Sequence, residues 1–179
     1  MTSIDPLREL LSRLVRLLSA DQRQGVLNPV QRAALTYLVR ANRFSRQPSH
    51  VADYLAATRG TTSQTLKSLL QKGYVSEEQS STDRRNTRLS LTAAGQRVVD
   101  ESRELDRLLE VLPEAERQAL SAGLGKIVTA LIVRRGGRSF GLCATCRFHQ
   151  TQKAGAFCGL LQVPLTAQEP NQICHEHAP

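Results

Sequence analysis

The sequence predicts a mainly α-helical fold with one small β-hairpin, and three observations lead to this prediction. Apolar residues recur at helical spacing through most of the first 135 residues. The apolar residues are mostly Leu, Val and Ala, while aromatic residues make up only 4% of the chain and Trp is absent. One pair of strand-like segments, separated by a polar turn, interrupts the helices near the middle of the chain. A chain of 179 residues is long enough for one domain with a small appendage.

The first predicted helix is amphipathic. It follows Asp5 and Pro6, a cap residue and a proline that suit a first helical turn. Its leucines form a stripe, with charged residues between them: Leu7, Leu10, Leu11, Leu14, Leu17 and Leu18. Such a stripe fits equally well into the core of the chain or against a partner subunit.

The second predicted helix starts at Asn28 and Pro29, a cap residue followed by a proline at the first helical position. A polar, arginine-rich loop over residues 40–48 follows it. The apolar face of this helix consists of Val30, Ala33, Ala34, Leu35, Leu38 and Val39.

Two further helices are predicted next. A short one starts at Ser49, and Thr58 is a good cap for a longer one over residues 59–72 that ends at Gly73. Their inner faces are Val51, Ala52 and Leu55 in the short helix, and Thr62, Leu66, Leu69 and Leu70 in the longer one.

A β-hairpin is predicted after these helices, with strands over residues 74–79 and 87–91. Its polar turn carries the pair Arg84 and Arg85. Thr92 then caps a long helix to about residue 110, and a last helix runs from the Leu-Pro-Glu segment at 112–114 to about residue 134. The residues expected to face inward on the last helix are Ala119, Leu120, Leu124, Ile127, Val128, Leu131 and Ile132.

This order of elements predicts a winged helix-turn-helix over residues 27–92. In that arrangement the second helix of the pair enters the DNA major groove and the hairpin contacts the neighbouring backbone or minor groove. Charge agrees with this interpretation, since residues 25–100 carry +6 of the net charge of +8. Basic charge concentrated in one segment indicates a polyanionic partner.

The candidate DNA-reading residues lie at the start of the 59–72 helix and on its outward face: Thr58, Arg59, Gly60, Ser63, Gln64 and Lys67. Arginine pairs with guanine and glutamine with adenine through major-groove edges, while Ser and Lys suit bases or phosphates. The competing interpretation is a merely solvated polar helix face. The basic hairpin directly downstream favours DNA.

Residues 27–95 resemble the multiple-antibiotic-resistance-regulator (MarR) family of bacterial transcription factors. The most specific segment is the run from Asp83 to Gly95, DRRNTRLSLTAAG, which contains the family's Asp-x-Arg and Leu-Thr-x-x-Gly wing pattern. The segments NPVQ at 28–31, VADYL at 51–55 and LLQKGYV at 69–75 carry the rest. With the Leu-Pro-Glu segment, the resemblance covers roughly residues 5–135.

The resemblance implies an obligate homodimer that binds double-stranded DNA at a palindromic operator. Residues 1–26 would then be an N-terminal dimerisation helix and residues 93–135 C-terminal dimerisation helices, packed together against the partner. By the same resemblance Arg85, beside Arg84, would enter the minor groove, and Asp83 would orient it. Gly60 and Gln64 differ from residues common in the family, so the resemblance does not give the operator sequence.

All four cysteines fall in residues 136–179, a tail outside the usual family pattern: Cys143, Cys146, Cys158 and Cys174. Three of the four phenylalanines, Phe140, Phe148 and Phe157, lie there too and are candidates for a small apolar cover. A tail this short has too little core to fold alone, so a bound metal would supply the missing stability.

Three interpretations of the cysteines remain open. One Cys-x2-Cys pair with two dispersed cysteines is typical of iron–sulfur proteins, so an iron–sulfur cluster is the interpretation that we prefer. Structural zinc is the alternative, although zinc sites commonly use two such pairs. The third is a set of unligated thiols. His149, His175 and His177 are further candidate ligands or hydrogen-bond donors near the site.

Together these features predict a dimeric transcriptional regulator, a repressor, whose DNA binding responds to a redox- or iron-sensitive cluster. The tail is expected to act by packing on the dimerisation helices. The alternative is a MarR-type regulator with structural zinc and a small-molecule effector pocket. The chain has no nucleophile–base pair, phosphate loop or paired carboxylates, which argues against an enzyme. It has no apolar run long enough to span a membrane and no signal-peptide pattern, so a cytoplasmic protein is expected.

Overall fold

Residues 5–21, 27–79, 87–101 and 104–179 are described by a computed structural model, and they form a mainly α-helical fold, as predicted. The helices are α1 (Pro6–Asp21), α2 (Pro29–Arg40), α3 (Pro48–Tyr54), α4 (Arg59–Gln71), α5 (Ala93–Glu101), α6 (Glu104–Glu110) and α7 (Glu114–Arg134). The strands are β1 (Val75–Gln79), β2 (Thr87–Leu91), β3 (Gly141–Leu142), β4 (His149–Gln152), β5 (Gly155–Cys158), β6 (Val163–Pro164) and β7 (Ile173–Cys174).

The main hydrophobic core lies among α2, α3, α4 and the β1–β2 hairpin. Its largest fully buried side chains include Tyr37, a core residue that the sequence analysis did not predict. The Tyr37 hydroxyl donates to the Ser45 carbonyl at 2.7 Å. The predicted inner faces are mostly confirmed, with these residues buried: Ala34, Leu35, Leu38, Val51, Ala52, Thr62, Leu66 and Leu69. Val30 is an exception, since it lies in the first turn of α2 and is exposed.

The predicted helix starts are confirmed by their hydrogen bonds. The Gln31 N–H donates to the Asn28 side chain at 2.8 Å, and the Asn28 N–H donates to the Gln31 side chain at 3.1 Å, forming a capping box. At α4 the Thr58 hydroxyl accepts from the Thr61 N–H at 3.1 Å. Helix α3 begins one residue earlier than predicted because Pro48 occupies its first helical position.

The Leu-Thr-x-x-Gly segment joins the hairpin to α5 through close backbone contact. The Thr92 N–H donates to the Tyr74 carbonyl at 3.1 Å, and the Thr92 hydroxyl donates to the Gly73 carbonyl at 2.7 Å. The same hydroxyl accepts from the Gly95 N–H at 3.1 Å, which confirms the predicted cap. A Cβ at Gly95 would overlap the Tyr74 carbonyl, so only glycine fits there without a shift.

The helices assigned to dimerisation leave much apolar surface uncovered within one chain. Helix α7 has no buried residue, and several positions predicted to face inward are exposed: Leu120, Ile127, Val128 and Leu131. Helix α1 likewise exposes Leu7, Leu10, Leu14 and Leu17. The predicted helix over 93–110 is described as α5 and α6, with residues 102–103 between them outside the description. The apolar faces are therefore not part of an intramolecular core.

The cysteine tail has its own small β-structure. Strands β3 and β7 form an antiparallel pair that joins the start of the tail to its end. Strands β4, β5 and β6 form a three-stranded antiparallel sheet between them. We call residues 139–179 the cysteine module.

The cysteine module packs on the loop that joins α2 to α3. Ile173 forms a parallel bridge with Ala41, and the Asn42 N–H donates to the Ile173 carbonyl at 2.9 Å. Arg43 forms an ion pair of 2.9 Å with Glu169, whose side chain is only 4% exposed. Backbone pairing and a mostly buried carboxylate thus fix the module to the winged-helix domain.

Aromatic side chains complete this contact. Phe140 meets Tyr37 and Tyr54 edge-on, with ring centroids 5.9 and 5.2 Å away. We expected the tail to pack on the dimerisation helices. Within the chain it packs instead mainly on α2, α3 and the loop between them, so this expectation is wrong. The physical reason is that the α2–α3 loop offers backbone groups for pairing with Ile173, while Tyr37 of α2 and Tyr54 of α3 offer aromatic rings to Phe140. Spacing in the sequence does not reveal these contacts.

Candidate nucleic-acid interface and cysteine site

Helix α4 presents a polar, basic face to solvent, where the sequence predicted it. The candidate residues Thr58, Arg59, Gly60, Ser63, Gln64 and Lys67 are all exposed. The opposite face is buried in the core through Thr62, Leu66 and Leu69. Packing on one side only therefore fixes the direction in which the polar side chains project. A surface groove of about 310 Å³ runs beside this face, between α3, α4 and β1.

Arg59, the candidate guanine reader, is folded back onto α3. Its guanidinium forms an ion pair of 2.8 Å with Asp53 and also donates to the Ser49 carbonyl. The side chain nevertheless remains 61% exposed. Sequence reasoning missed Asp53 and Ser49, because neither belongs to the predicted recognition helix.

The tip of the wing lies outside the described residues. Asp83, Arg84 and Arg85 fall within 80–86, so their assignment to DNA remains a prediction. The described part of the hairpin is antiparallel, from Val75 opposite Leu91 to Gln79 opposite Thr87. Next to the turn, this hairpin carries the additional exposed cation Arg88, in register with Glu78.

The fold brings the four cysteines of the module together in two steps. Pairing of β3 with β7 places Cys174 opposite Gly141, and the Cys143 N–H donates to the Gln172 carbonyl at 3.0 Å. The first and last cysteines, 31 positions apart in sequence, therefore become neighbours.

Pairing of β4 with β5 brings in the third cysteine. Cys158 lies opposite His149, whose N–H donates to the Cys146 carbonyl at 2.9 Å. Cys146 and Cys143 are joined by a tight 3₁₀ turn, in which the Cys146 N–H donates to the Cys143 carbonyl at 3.1 Å. The Cys146 sulfur also accepts from the Ala178 N–H at 3.4 Å.

The electrostatics of the thiols reflect this clustering. Burial, followed by the neighbouring thiols of Cys174, Cys158 and Cys146, raises the pKa of Cys143 to about 11. Burial also raises the pKa of Cys174, although hydrogen bonds from Asn42 and Ser45 partly oppose this rise. A free thiol with a raised pKa stays protonated near neutral pH, so metal binding would have to displace its proton.

All four cysteines are free thiols, and Cys143 and Cys174 are buried. Across the described ranges, no three Cys, His, Asp or Glu side chains already surround a common metal position. The thiols are thus neighbours in the fold, but as described they do not form a metal ligand set. Four convergent thiolates are the donor set that both zinc and iron–sulfur clusters use.

The three histidines of the module have different surroundings. His177 packs against Gly141, and its ring lies 3.0 Å from the Thr145 hydroxyl. His149 has a buried Nε2 without a hydrogen-bond partner in the described structure. His175 is 5% exposed and lies between the module and the winged-helix domain, with Nδ1 3.3 Å from Glu176 and Nε2 3.3 Å from Asp53. Its ring stacks on that of His50 and contacts the edge of Phe140. Its position makes it part of the contact with the winged-helix domain.

His50, which sequence reasoning also missed, stacks on His175 with ring centroids 3.7 Å apart. Burial, followed by repulsion from His175, lowers the pKa of His50 to about 4, against opposing effects of Glu176 and Asp53. The imidazole of His50 is therefore neutral near pH 7.

Comparison with known proteins identifies the helix-turn-helix segment. Residues 27–86 match the sequence model of the MarR family. This segment is about a third of the chain, from the start of α2 into the wing. The MarR-type winged helix and its antiparallel wing account for the order α2, α3, α4, β1 and β2. A comparison with curated proteins gave no match.

Solved structures with the same fold include several of MepR from Staphylococcus aureus. A MepR–DNA complex is 22% identical, with a TM-score of 0.54, over 73% of this chain and 99% of that one. A single-residue MepR variant has the same identity and TM-score, and the match covers 70% of this chain and 95% of that one. MepR described as a transcription regulator of the multidrug efflux pump MepA is 21% identical, with a TM-score of 0.52, over 70% and 95%. At this identity the likeness shows the fold.

Proposed function

We propose that the protein is a DNA-binding transcriptional regulator of the MarR type and not an enzyme. The observation that carries this proposal is the one-sided burial of α4, which directs Arg59, Ser63 and Lys67 into solvent next to a β-wing. The match of residues 27–86 to the MarR family supports it. So does the fold shared with MepR, which has been solved in complex with DNA.

Binding would proceed by insertion of the N-terminal half of α4 into the major groove. Arg59 and Gln64 have the side chains that read guanine and adenine edges, respectively. Lys67, further along the same face, suits a phosphate. At the wing tip, Arg84 and Arg85 would enter or flank the minor groove, with Asp83 as the orienting carboxylate.

The regulator would act as a homodimer on a palindromic operator. Its support is the apolar surface that α1 and α7 leave uncovered, including Leu10, Val15, Ile127 and Val133. Exposed apolar surface of this extent marks a protein interface. Sedimentation equilibrium should give about twice the chain mass of 19.8 kDa. A monomer at micromolar concentration would contradict the dimer.

The four thiols would hold an iron–sulfur cluster, with zinc as the alternative. Support comes from the convergence of Cys143, Cys146, Cys158 and Cys174 within one chain, through the β3–β7 and β4–β5 pairings. A bound cluster would supply redox chemistry, and zinc only structural stability. In either case the metal would tie the two ends of the module together and stabilise its contact with the α2–α3 loop. The cluster would modulate DNA binding through this contact.

A second candidate is a structural zinc site combined with a small-molecule effector pocket. It is favoured by a cavity of about 780 Å³ between α3 and α7, lined by Tyr54, Val128, Leu131 and Phe140 among others. Zinc protein is colourless whereas iron–sulfur protein absorbs visible light, so the spectrum of anaerobically purified protein separates the two candidates.

Removing the Lys67 charge should weaken DNA binding without changing base preference. Lys67→Ala is expected to lower affinity for all duplexes similarly, and to reduce the dependence of log affinity on log salt by about one per subunit. Fluorescence anisotropy with duplex DNA at several salt concentrations measures both. Lys153→Ala, in the exposed turn between β4 and β5, removes the same charge away from α4 and from the dimerisation helices, and is the matched control. Equal losses in the two variants would contradict the assignment.

A further inference from the structure

The carboxylate of Asp53 faces two partners from different parts of the chain. Its Oδ1 lies 2.8 Å from the Arg59 guanidinium at the start of α4, and its Oδ2 lies 3.3 Å from His175 Nε2 in the cysteine module. The Asp53 side chain is 32% exposed, so water screens it only in part. One side chain on α3 therefore connects the candidate DNA-reading arginine to the candidate metal site.

The backbone around Cys174 fixes the position of His175. The His175 N–H donates to the Ser45 hydroxyl at 2.8 Å, and that hydroxyl donates to the Asn42 side chain at 2.7 Å. Stacking on His50 holds the His175 ring from one face. Because Cys174 precedes His175 directly, a ligand that draws the Cys174 sulfur towards the other thiols also sets the position of the His175 ring.

Arg59 cannot hold Asp53 and read guanine at the same time. Its Nη2 is engaged by Asp53 and its Nη1 by the Ser49 carbonyl. A bidentate contact with guanine needs two guanidinium N–H groups, so Arg59 must leave Asp53 when the base contact forms. The free energy of the Asp53–Arg59 ion pair therefore opposes DNA binding.

We propose that Asp53 couples the cysteine module to DNA recognition, because His175 and Arg59 share its carboxylate. His175 Nδ1 lies 3.3 Å from Glu176, so the tautomer required here is the one with the proton on Nε2, which faces Asp53. When the module is held in place, this Nε2–H donates to Asp53 and still pairs with it after Arg59 has left. When the thiols lose their ligand and the module loosens, Asp53 pairs with Arg59 alone and retains it. Ligation of the thiols thus strengthens DNA binding within one subunit. This inference rests on the proposed DNA-binding function.

Substitutions at His175 test the role of its hydrogen bond. The probe is a duplex selected by the wild-type protein from a randomised pool. His175→Phe keeps a ring against His50 but cannot donate to Asp53, and it should weaken binding by about three- to fivefold. His175→Gln retains an N–H donor and should bind within about twofold of wild type. Equal loss in both variants would overturn the proposal.

Asp53→Asn tests the coupling and does not depend on how well the His175 variants fold. It should strengthen DNA binding, and His175→Phe should then have no further effect. In an Arg59→Ala background Asp53→Asn should no longer strengthen binding, which separates release of Arg59 from a general loss of negative charge near DNA. Additive effects in either double variant would overturn the proposal.

Thiol ligation is tested with Zn²⁺ alone, added to reduced, chelator-treated protein. In wild type Zn²⁺ should strengthen binding to the selected duplex by at least about threefold, and in Asp53→Asn it should change binding by less than about 1.5-fold. No effect in wild type, or an equal effect in Asp53→Asn, would overturn the coupling. If wild type binds no duplex at any salt concentration, the DNA-binding function itself fails, and the two failures remain distinct.

Discussion

Gly95→Ala should destabilise the folded chain by about 2–3 kcal/mol, since overpacking against backbone typically costs about 1–3 kcal/mol and neighbouring hydrogen bonds are strained as well. The added methyl group would overlap the Tyr74 carbonyl, which accepts the Thr92 N–H bond and cannot move freely. Alanine's better helix propensity offsets only part of this loss, about 1 kcal/mol. Thermal unfolding followed by circular dichroism should show a midpoint lowered by about 5–10 °C.

Gly60→Ala is the matched control for this stability measurement. It lies in the first turn of α4, where an added Cβ would meet only the Thr58 hydroxyl at 4.0 Å. We therefore expect its unfolding midpoint to be unchanged or slightly raised. If Gly95→Ala unfolds at the same temperature as wild type, the close contact between the hairpin and α5 is not as described.

Replacing Cys143 and Cys174 by Ser should abolish metal binding by the cysteine module. These are its two buried cysteines, and pairing of β3 with β7 makes them neighbours at the ends of the module. Serine is a poor ligand for zinc or for an iron–sulfur cluster, so loss of two thiolates from a set of four leaves too few donors. Anaerobically purified wild type should contain iron with sulfide and absorb visible light, and the double variant should contain neither.

Ala144→Ser is the control, because it places the same hydroxyl on an exposed position between the first two cysteines. It should retain wild-type metal content and spectrum. The double variant should also become sensitive to limited proteolysis over residues 139–179, since the module has little core without a ligand. Equal metal content in the double variant and wild type would show that the thiols are not the ligands.

Local signals predicted most of the winged-helix part of the fold. Asn28 with Pro29, Thr58 and Thr92 each have cap chemistry that operates within three residues, so their role is readable without knowing the tertiary structure. Apolar residues at helical spacing likewise located the buried faces of α2, α3 and α4. Gly95 was recognised through a family pattern, and the structure adds the reason, which is the Tyr74 carbonyl.

The parts that could not be predicted depend on contacts between distant segments. Nothing in the sequence distinguishes Asp53 from an ordinary surface carboxylate. Only tertiary packing places it beside Arg59 and beside His175, and His175 is 122 positions away. The contact of the module with the winged-helix domain depends on the partly buried Phe140, which packs on Tyr37, and on an Ile173 backbone bridge. The exposed face of α7 looked like core because apolar periodicity does not tell whether a helix packs within its chain or against another copy.

The salt dependence of duplex DNA binding tests the central claim most directly. A dimer that places α4 and the basic wing of each subunit on DNA should neutralise about six to eight phosphates, so log affinity should fall with log salt concentration with a slope of about −5 to −7. The measurement needs only purified protein, a selected duplex and several salt concentrations. A slope shallower than about −2, or equal affinity for selected and random duplexes, would contradict a sequence-specific DNA-binding regulator.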